Sequence, residues 1–294
     1  MRQRSSTGRK TFVLFNYFIL TVIAAACLLP LINVLAISFS SSSAVNSGLV
    51  KLWPVSFTLK SYEFVLNKPE FVSAFIVSLK RVIVGVPLNM LLTILIAYPL
   101  SKEKSEFRWR NQYAWLFVIT MLFSGGLIPW YMAIKMTGII DSFWALILPG
   151  AVPVFNVILM LNFFKSLPKE IEEAALMDGA GVWQSLWKIV VPLSAPSVAT
   201  LTLFCIVTQW NSWFEGLILL NNPDGYPLQS YLQTVLVNRD MSLMTSADAL
   251  TLRSVSDRTS KAAQAFVAML PVLLVYPFLQ RYFTQGIVLG SVKG

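Results

Sequence analysis

The chain has 294 residues, of which 56% are hydrophobic and 13% charged, with a formal charge of +9; soluble domains carry about 25% charged residues, so the composition describes a polytopic membrane protein built from α-helices. The basic residues sit in short loops beside apolar runs rather than along one face, which fits orientation in a bilayer and excludes a nucleic-acid surface. There is no His, and Cys27 and Cys205 both lie inside apolar runs, so neither a metal site nor a disulfide framework is expected.

A helix needs roughly 20 mainly apolar residues to cross about 30 Å of hydrocarbon. Six segments meet this test, running approximately over 12–39, 82–100, 113–134, 143–164, 197–220 and 265–283. The first is too long for the apolar region of a cleavable leader and no small-residue cleavage site follows it, so it is expected to remain as a span. The transmembrane domain therefore covers 12–283, between an N-terminal tail, 1–11, and a C-terminal tail, 284–294. Arg2, Arg4, Arg9 and Lys10, then Lys102, Lys104, Arg108 and Arg110, then Lys165, Lys169 and Lys188, then Arg281 and Lys293 fall on one side. Because short loops carry most of the orienting weight, both termini are expected in the cytoplasm. Two long segments, about Ser40 to Arg81 and Asn221 to Lys261, are then external. Within the first, Leu59 to Leu66 reads as a short amphipathic helix at the outer surface.

Between the fourth and fifth spans lies a polar, helix-prone segment, 165–195, on the same side as the termini. Pro168 suits a first helical turn, and Glu170, Glu172 and Glu173 complement the positive end of the helix dipole. A helix over about Lys169 to Met177 is predicted, broken by Asp178-Gly179-Ala180-Gly181 because glycine admits the left-handed conformation that closes a helix. A second helix, Val182 to Val190, places Trp183 and Trp187 at i, i+4 and ends at Pro192. Ala174 and Ala175 give close-approach surface, Glu173 a charge beside them, and Gly179 a sharp turn. The segment is either a solvated loop or a compact knob that docks into a groove, and these three details favour the knob.

Glu173-Ala174-Ala175-Leu176-Met177-Asp178-Gly179-Ala180, followed by Ile189 and Pro192, resembles the EAA motif of permease subunits of ATP-binding-cassette importers. Leu186 stands where an aromatic is often found, and Val191 precedes the proline where leucine is usual. Ala97-Tyr98-Pro99-Leu100-Ser101-Lys102 is similar to the AYALS motif of carbohydrate permeases of the maltose-transporter type. Gln280-Arg281-Tyr282-Phe283, Gly286, Gly290 and Val292-Lys293-Gly294 are similar to that group's C-terminal ending. Phe123-Ser124-Gly125-Gly126-Leu127-Ile128-Pro129 resembles the branch that imports complex oligosaccharides, including uronate-containing ones derived from pectin or alginate.

The resemblance implies a type I importer permease fold in a bacterial cytoplasmic membrane. It implies that Glu173, Ala174, Ala175, Asp178, Gly179, Ala180 and Gly181 form the coupling helix and turn that seat in an ATPase cleft, with Glu173 facing a basic group there. The implied partners are a second, different permease, two cytoplasmic ATPase subunits, an extracytoplasmic solute-binding protein and the oligosaccharide. No G-x-x-x-x-G-K-[ST] phosphate loop is present, so no cofactor is expected in this chain and ATP is expected to be bound by the partners.

In the fifth span Thr208, Asn211 and Glu215 fall at i, i+3 and i+7 on one face, flanked by Trp210 and Trp213. Counted from Pro196, Asn211 lies roughly 22 Å across and Glu215 roughly 28 Å. These residues and Asn156 are the candidate substrate path; tryptophan beside hydroxyl-binding groups suits a sugar. Equally, Trp210 and Trp213 are compatible with an interfacial aromatic belt, and Asn211 with a bond to a neighbouring helix. The external 221–261 segment is expected to contact the binding protein or to serve as a lid. A channel or secondary transporter, working without ATP, is the main rival; it needs an ion site or proton relay, yet outside the interfacial Glu215 no clear buried acid stands in the spans, and His is absent. An intramembrane enzyme is disfavoured because no paired acids, Ser/His set or metal cluster appears, and no catalytic residue is assigned.

Overall fold

The computed structural model describes residues 7–237 and 257–291; the 238–256 part of the second external segment, Arg2 and Arg4, and the last three residues lie outside them. The described chain is helical, with an isolated bridge between Ser40 and Phe57. It is an all-α polytopic membrane protein. Among the described residues, three helical stretches, Gly8–Ser38, Pro69–Ser101 and Arg258–Pro277, are long and apolar enough to cross a membrane, and the number reaches six if each of three bent helix pairs counts as one span.

The chain divides into two compact units, one of residues up to 69 with 235–269 and one of 70–234 with residues from 270 onward. In the first, helix α1 (Thr7–Ser38) is apolar all round and exposed over most of its length, the pattern of a helix that meets lipid or another chain. Its end is pinned by polar bonds: the Ser40 hydroxyl donates to the Ala36 carbonyl at 2.6 Å and accepts from the Val55 N–H at 2.9 Å. Ser38 and Tyr62 hydroxyls are 2.7 Å apart, and Phe39 stacks on Phe57. Tyr62 belongs to α3 (Lys60–Leu66), which follows the short α2 (Ser42–Asn46) and occupies the span predicted for an amphipathic helix.

The second unit starts with α4 (Pro69–Ser101), 33 residues long. The second span is thus longer than 82–100: Pro69 and Glu70 provide a proline start and an acidic first turn, so residues 69–81 are helix rather than external loop. The core of this unit joins Met90, Ile94 and Ala97 of α4 to Val157 and Met160 of α7 (Val154–Ser166), Leu186 and Val190, and Leu201 and Cys205 of α11 (Ala195–Asn211).

Three predicted spans are not single straight helices. The third breaks between α5 (Arg110–Leu122) and α6 (Leu127–Met136), bent by 118°; Gly126 at φ +84° makes the corner, and α5, at 13 residues, reaches only about 20 Å. Apolar content concealed the corner, although Gly125-Gly126 marked it. The fourth opens with 3-10 turns over Phe143–Leu146 and Leu148–Gly150 before α7, with a 46° bend, because Pro149 and Pro153 cannot continue an α ladder. The fifth stops at Asn211; after Ser212 and Trp213 the chain resumes as α12 (Phe214–Leu219), and α13 (Leu228–Leu232) packs beside it. The last helix, α14, runs over Asp257–Ser291.

Gly216 fixes how α12 and α13 meet. A Cβ there would lie 2.2 Å from the Ser230 hydroxyl oxygen and 2.8 Å from Cδ of Pro227, and that hydroxyl already donates to the Trp213 carbonyl at 2.6 Å. Gly216→Ala is expected to cost about 1–3 kcal/mol through overpacking. The readout is a lower temperature of aggregation for the detergent-solubilised protein; an unshifted temperature would refute this packing.

Candidate functional site

The 165–195 segment folds as two short helices around a turn. Helix α8 (Lys169–Met177) closes with the bond pair expected of a glycine-terminated helix. The Gly179 N–H donates to the Leu176 carbonyl at 3.0 Å and the Ala180 N–H to the Ala175 carbonyl at 2.9 Å. This geometry needs the left-handed backbone, and Gly179 sits at φ +83°. Gly181 leads into α9 (Val182–Ser185), its N–H accepted by the Gln184 side chain at 3.3 Å.

The second helix does not end before Pro192. A π turn over Leu186–Val190 and α10 (Val191–Leu193) carry it on to Ser194, where the path bends by 82° into α11. The wider turn ahead of the proline accommodates a residue that lacks an N–H and crowds the preceding turn.

Of the residues on this knob, Glu173, Ala174, Asp178, Gly179 and Gly181 are exposed, Ala180 is half-buried and Ala175 is buried. Large apolar side chains surround them in the open: Met177 is 88% exposed and Trp183 65%, with Ile171, Leu176 and Val182 nearby. The turn therefore exposes an apolar surface with a carboxylate beside it, the kind of patch found where proteins meet partners.

Glu172, one position before the motif, holds the knob to the rest of the unit. Its Oε1 accepts from the Tyr98 hydroxyl at 2.5 Å, from Lys102 Nζ, and from the Ser185 hydroxyl at 3.3 Å. One carboxylate therefore gathers the end of α4, the first helix of the knob and the second. Lys102 also lies 4.5 Å from the centre of the Tyr98 ring, a cation over an aromatic face. Burial acts to raise the Glu172 pKa, but the bonds from Lys102, Tyr98 and Ser185 outweigh it and hold the carboxyl below its usual range. For Lys102 burial pulls downward, and its bonds to Glu172 and Tyr98 win, raising the ammonium above its usual value. A second pair, Lys169 with Glu103, is exposed and contributes little. A cleft of ≈ 810 Å³ lies between α4, α7 and α8, lined by Tyr98, Lys102, Phe164, Pro168 and Leu193 among others, so the polar link, rather than continuous packing, ties α8 to α4. Local pattern marks Glu172 only as a first-turn acid, since Tyr98 is 74 positions away.

The candidate path residues are not brought together as one stripe. Thr208 and Asn211 are exposed on α11, whereas Glu215 stands on α12 beyond the break. Trp210 is buried and meets Phe75 edge-on at 5.6 Å, and Trp213 is exposed beside Phe214. Asn156 is buried, its amide donating to Cys205 Sγ at 3.3 Å.

A buried network missed in the sequence lies at the same break. Arg81, assigned from sequence to an external loop, is 3% exposed. Its Nε donates to Gln209 Oε1 at 2.9 Å and its Nη1 to the Ser212 carbonyl at 3.3 Å, while Nη2 lies 3.6 Å from Glu215 Oε2. The Gln209 amide in turn donates to Asn89 Oδ1 at 2.8 Å, and Asn89 donates to the carbonyls of Gly150 and Ala151. The helix α4, the 3-10 turn and α11 are thereby cross-linked. Glu215 is a half-buried acid paired with Arg81.

Residues 61–288 match the family described as binding-protein-dependent transport system inner membrane component. The chain belongs to this family. The permease is 37% identical over 285 residues to protein LplC of Bacillus subtilis (strain 168), covering 97% of this chain and 96% of the relative. It is 38% identical over 290 residues to the polygalacturonan/rhamnogalacturonan transport system permease protein YtcP of the same organism, covering 97% and 99%. Among solved structures, it superposes with a TM-score of 0.88 at 33% identity on a chain from the crystal structure of a bacterial ABC transporter involved in the import of the acidic polysaccharide alginate, covering 95% of this permease and 99% of that chain. It is thus a permease component of an ABC importer, in a family of transport rather than catalytic subunits.

Proposed function

We propose that this permease imports an oligosaccharide, of a uronate-bearing class, across the bacterial cytoplasmic membrane by alternating access driven by ATP hydrolysis in partner subunits. The observation that carries the reading is the 169–183 knob, apolar and exposed at its tip and fastened to the end of α4 chiefly through the Glu172 carboxylate. Likeness to permeases whose names refer to polygalacturonan and alginate supports the sugar class. In this reading the bent pairs complete six spans, with the tails at 1–11 and 284–294 and the 165–195 segment on the cytoplasmic side. Glu173, Ala174, Ala175, Asp178, Gly179, Ala180 and Gly181 seat in an ATPase cleft, where Glu173 meets a basic group.

The complex comprises a second, homologous permease, two ATPase subunits and an extracytoplasmic binding protein. ATP binding closes the ATPase dimer and displaces the knob; Glu172 passes that displacement to Tyr98 and Lys102 at the end of α4, and the spans tilt to open the path outward. Thr208, Asn211 and Trp213 face the path near its outer end, while Trp210 and Asn156 support it from within the packing.

The test is reconstitution of the whole complex in proteoliposomes. ATP-dependent accumulation of trigalacturonate is expected, together with co-purification of ATPase and second permease on a tagged copy of this chain. Sugar accumulation by this polypeptide alone without nucleotide, or purification without partners, would overturn the reading.

A further inference from the structure

A permanently charged guanidinium buried on a membrane-spanning helix calls for a role, because ionisable groups in such helices are costly and mark substrate or ion pathways. Arg81 and Ser101 are both on α4, and the axis between them is about 30 Å long. If Lys102 sits at the cytoplasmic edge, Arg81 lies at the opposite edge of the hydrocarbon, at the outer mouth of the path. Three features there go beyond what a static ion pair needs. Arg81 is held by Gln209 of α11 and by the carbonyl of Ser212 at the break itself, while Glu215, its counter-ion, is on α12 beyond the break and accepts a hydrogen bond at Oε2 from the Ser212 hydroxyl. Movement of α12 beyond Trp213 would withdraw Glu215, breaking its bond to the Ser212 hydroxyl, and leave Arg81 on Gln209 of α11. The Glu215 contact is also the longest of the three, at 3.6 Å, and solvent reaches the pair through Glu215, whose side chain is 30% exposed against 4% for Arg81. Beside Glu215, Trp213 is 42% exposed and Phe214 38%, their rings edge-on at 5.8 Å, and Trp130 lies 6.4 Å from Phe214. This is an aromatic platform of the kind on which the apolar face of a sugar ring rests.

We infer that the Arg81–Glu215 pair is an exchangeable carboxylate site, at which a uronate carboxylate of the incoming sugar takes the place of Glu215 on the Arg81 guanidinium. The inference rests on the oligosaccharide reading above and adds to it the group that selects acidic sugars. Arginine cannot shed its charge, and removing its partner from a buried site leaves an uncompensated ion. Whenever α12 swings away, another carboxylate is therefore favoured at Arg81, and a planar guanidinium accepts one in a two-bond geometry. Glu215 keeps the site neutral when no sugar is present and competes with the sugar when it is.

The experiment uses the complete reconstituted complex and two probes of the same ring framework, trigalacturonate and its fully methyl-esterified form, comparing half-saturating concentrations for ATP-driven uptake. Glu215→Gln removes the competitor and is expected to raise the preference for acid over ester by about fivefold. Arg81→Gln is expected to lower it by about tenfold or more, the size of a lost charge-assisted hydrogen bond. Because Arg81→Gln alone leaves Glu215 without its partner and risks misfolding, the double variant Arg81→Gln/Glu215→Gln, neutral throughout, is measured as well and is expected to treat acid and ester alike. Unchanged acid-to-ester preference in Glu215→Gln and in the double variant would show a structural ion pair and overturn this inference alone. Uptake of neither probe by the unaltered complex would overturn the oligosaccharide reading and this inference with it.

Discussion

Replacing Gly179 with proline is expected to reduce ATP-driven uptake at least tenfold while the chain still inserts in the membrane. Proline is locked near φ −65°, whereas the backbone here is at +83°, and the N–H that bonds the Leu176 carbonyl disappears with it. A Cβ at this position meets nothing within 4 Å, so other substitutions are penalised by conformation and not by collision. This separates a graded series. Gly179→Ala pays about 1–2 kcal/mol for the left-handed conformation, which corresponds to roughly a 5–30-fold loss of correctly shaped knob. Gly179→Asn, whose side chain tolerates that region, is expected to lose less. Co-purification of the ATPase and uptake in proteoliposomes should therefore fall in the order Asn, Ala, Pro. Excess ATPase should rescue Ala by mass action and leave proline inactive. Normal uptake by the proline variant would remove the knob from the mechanism.

The second large effect is expected at Glu172. Glu172→Ala should leave ATP hydrolysis by the assembled complex largely intact and cut uptake at least tenfold, because the ATPase still docks on the exposed tip while its movement no longer reaches α4. The loss leaves the Lys102 side chain, 16% exposed, with only the long 3.9 Å contact to the exposed Glu106, and a half-enclosed charge so weakly compensated is worse than none. Glu172→Gln combined with Lys102→Met should therefore transport better than Glu172→Gln alone, a non-additivity that marks a direct interaction. Parallel loss of hydrolysis and uptake in Glu172→Ala would indicate failed assembly instead of a broken link.

The same link has a defined pH window. The Glu172 carboxyl is depressed below 4.5, so its contribution to stability is present above that value and lost as pH falls through the lower folded value. The Lys102 ammonium is raised above 10.5, so its contribution is present below that value and lost as pH rises through the higher folded value. Between these limits the link stays charged, and the ratio of uptake to hydrolysis should be flat from about pH 6 to 8 as far as this pair is concerned. In thermal unfolding, Glu172→Gln should lack the part of the acid-side destabilisation that the native carboxylate supplies.

Local patterns of residues suffice for the membrane class, the Lys169–Met177 helix with its glycine stop, and the short helix before Asn67. Each rests on signals that act within a few residues: a proline start, acids in the first turn, a glycine that alone takes φ +83°, or a sustained apolar run. The tertiary structure decided what those signals leave open. Hydrophobicity is blind to direction, so the apolar stretch from 113 to 134 concealed a corner at Gly126, and the stretch from 197 to 220 concealed the break that separates Asn211 from Glu215. Partnership over long distances was equally hidden. Arg81 finds Gln209 at a separation of 128 positions and Tyr98 finds Glu172 at 74, because a charge in a membrane helix is tolerated only where the fold brings a counter-ion to it, and no local pattern in the chain encodes which one arrives.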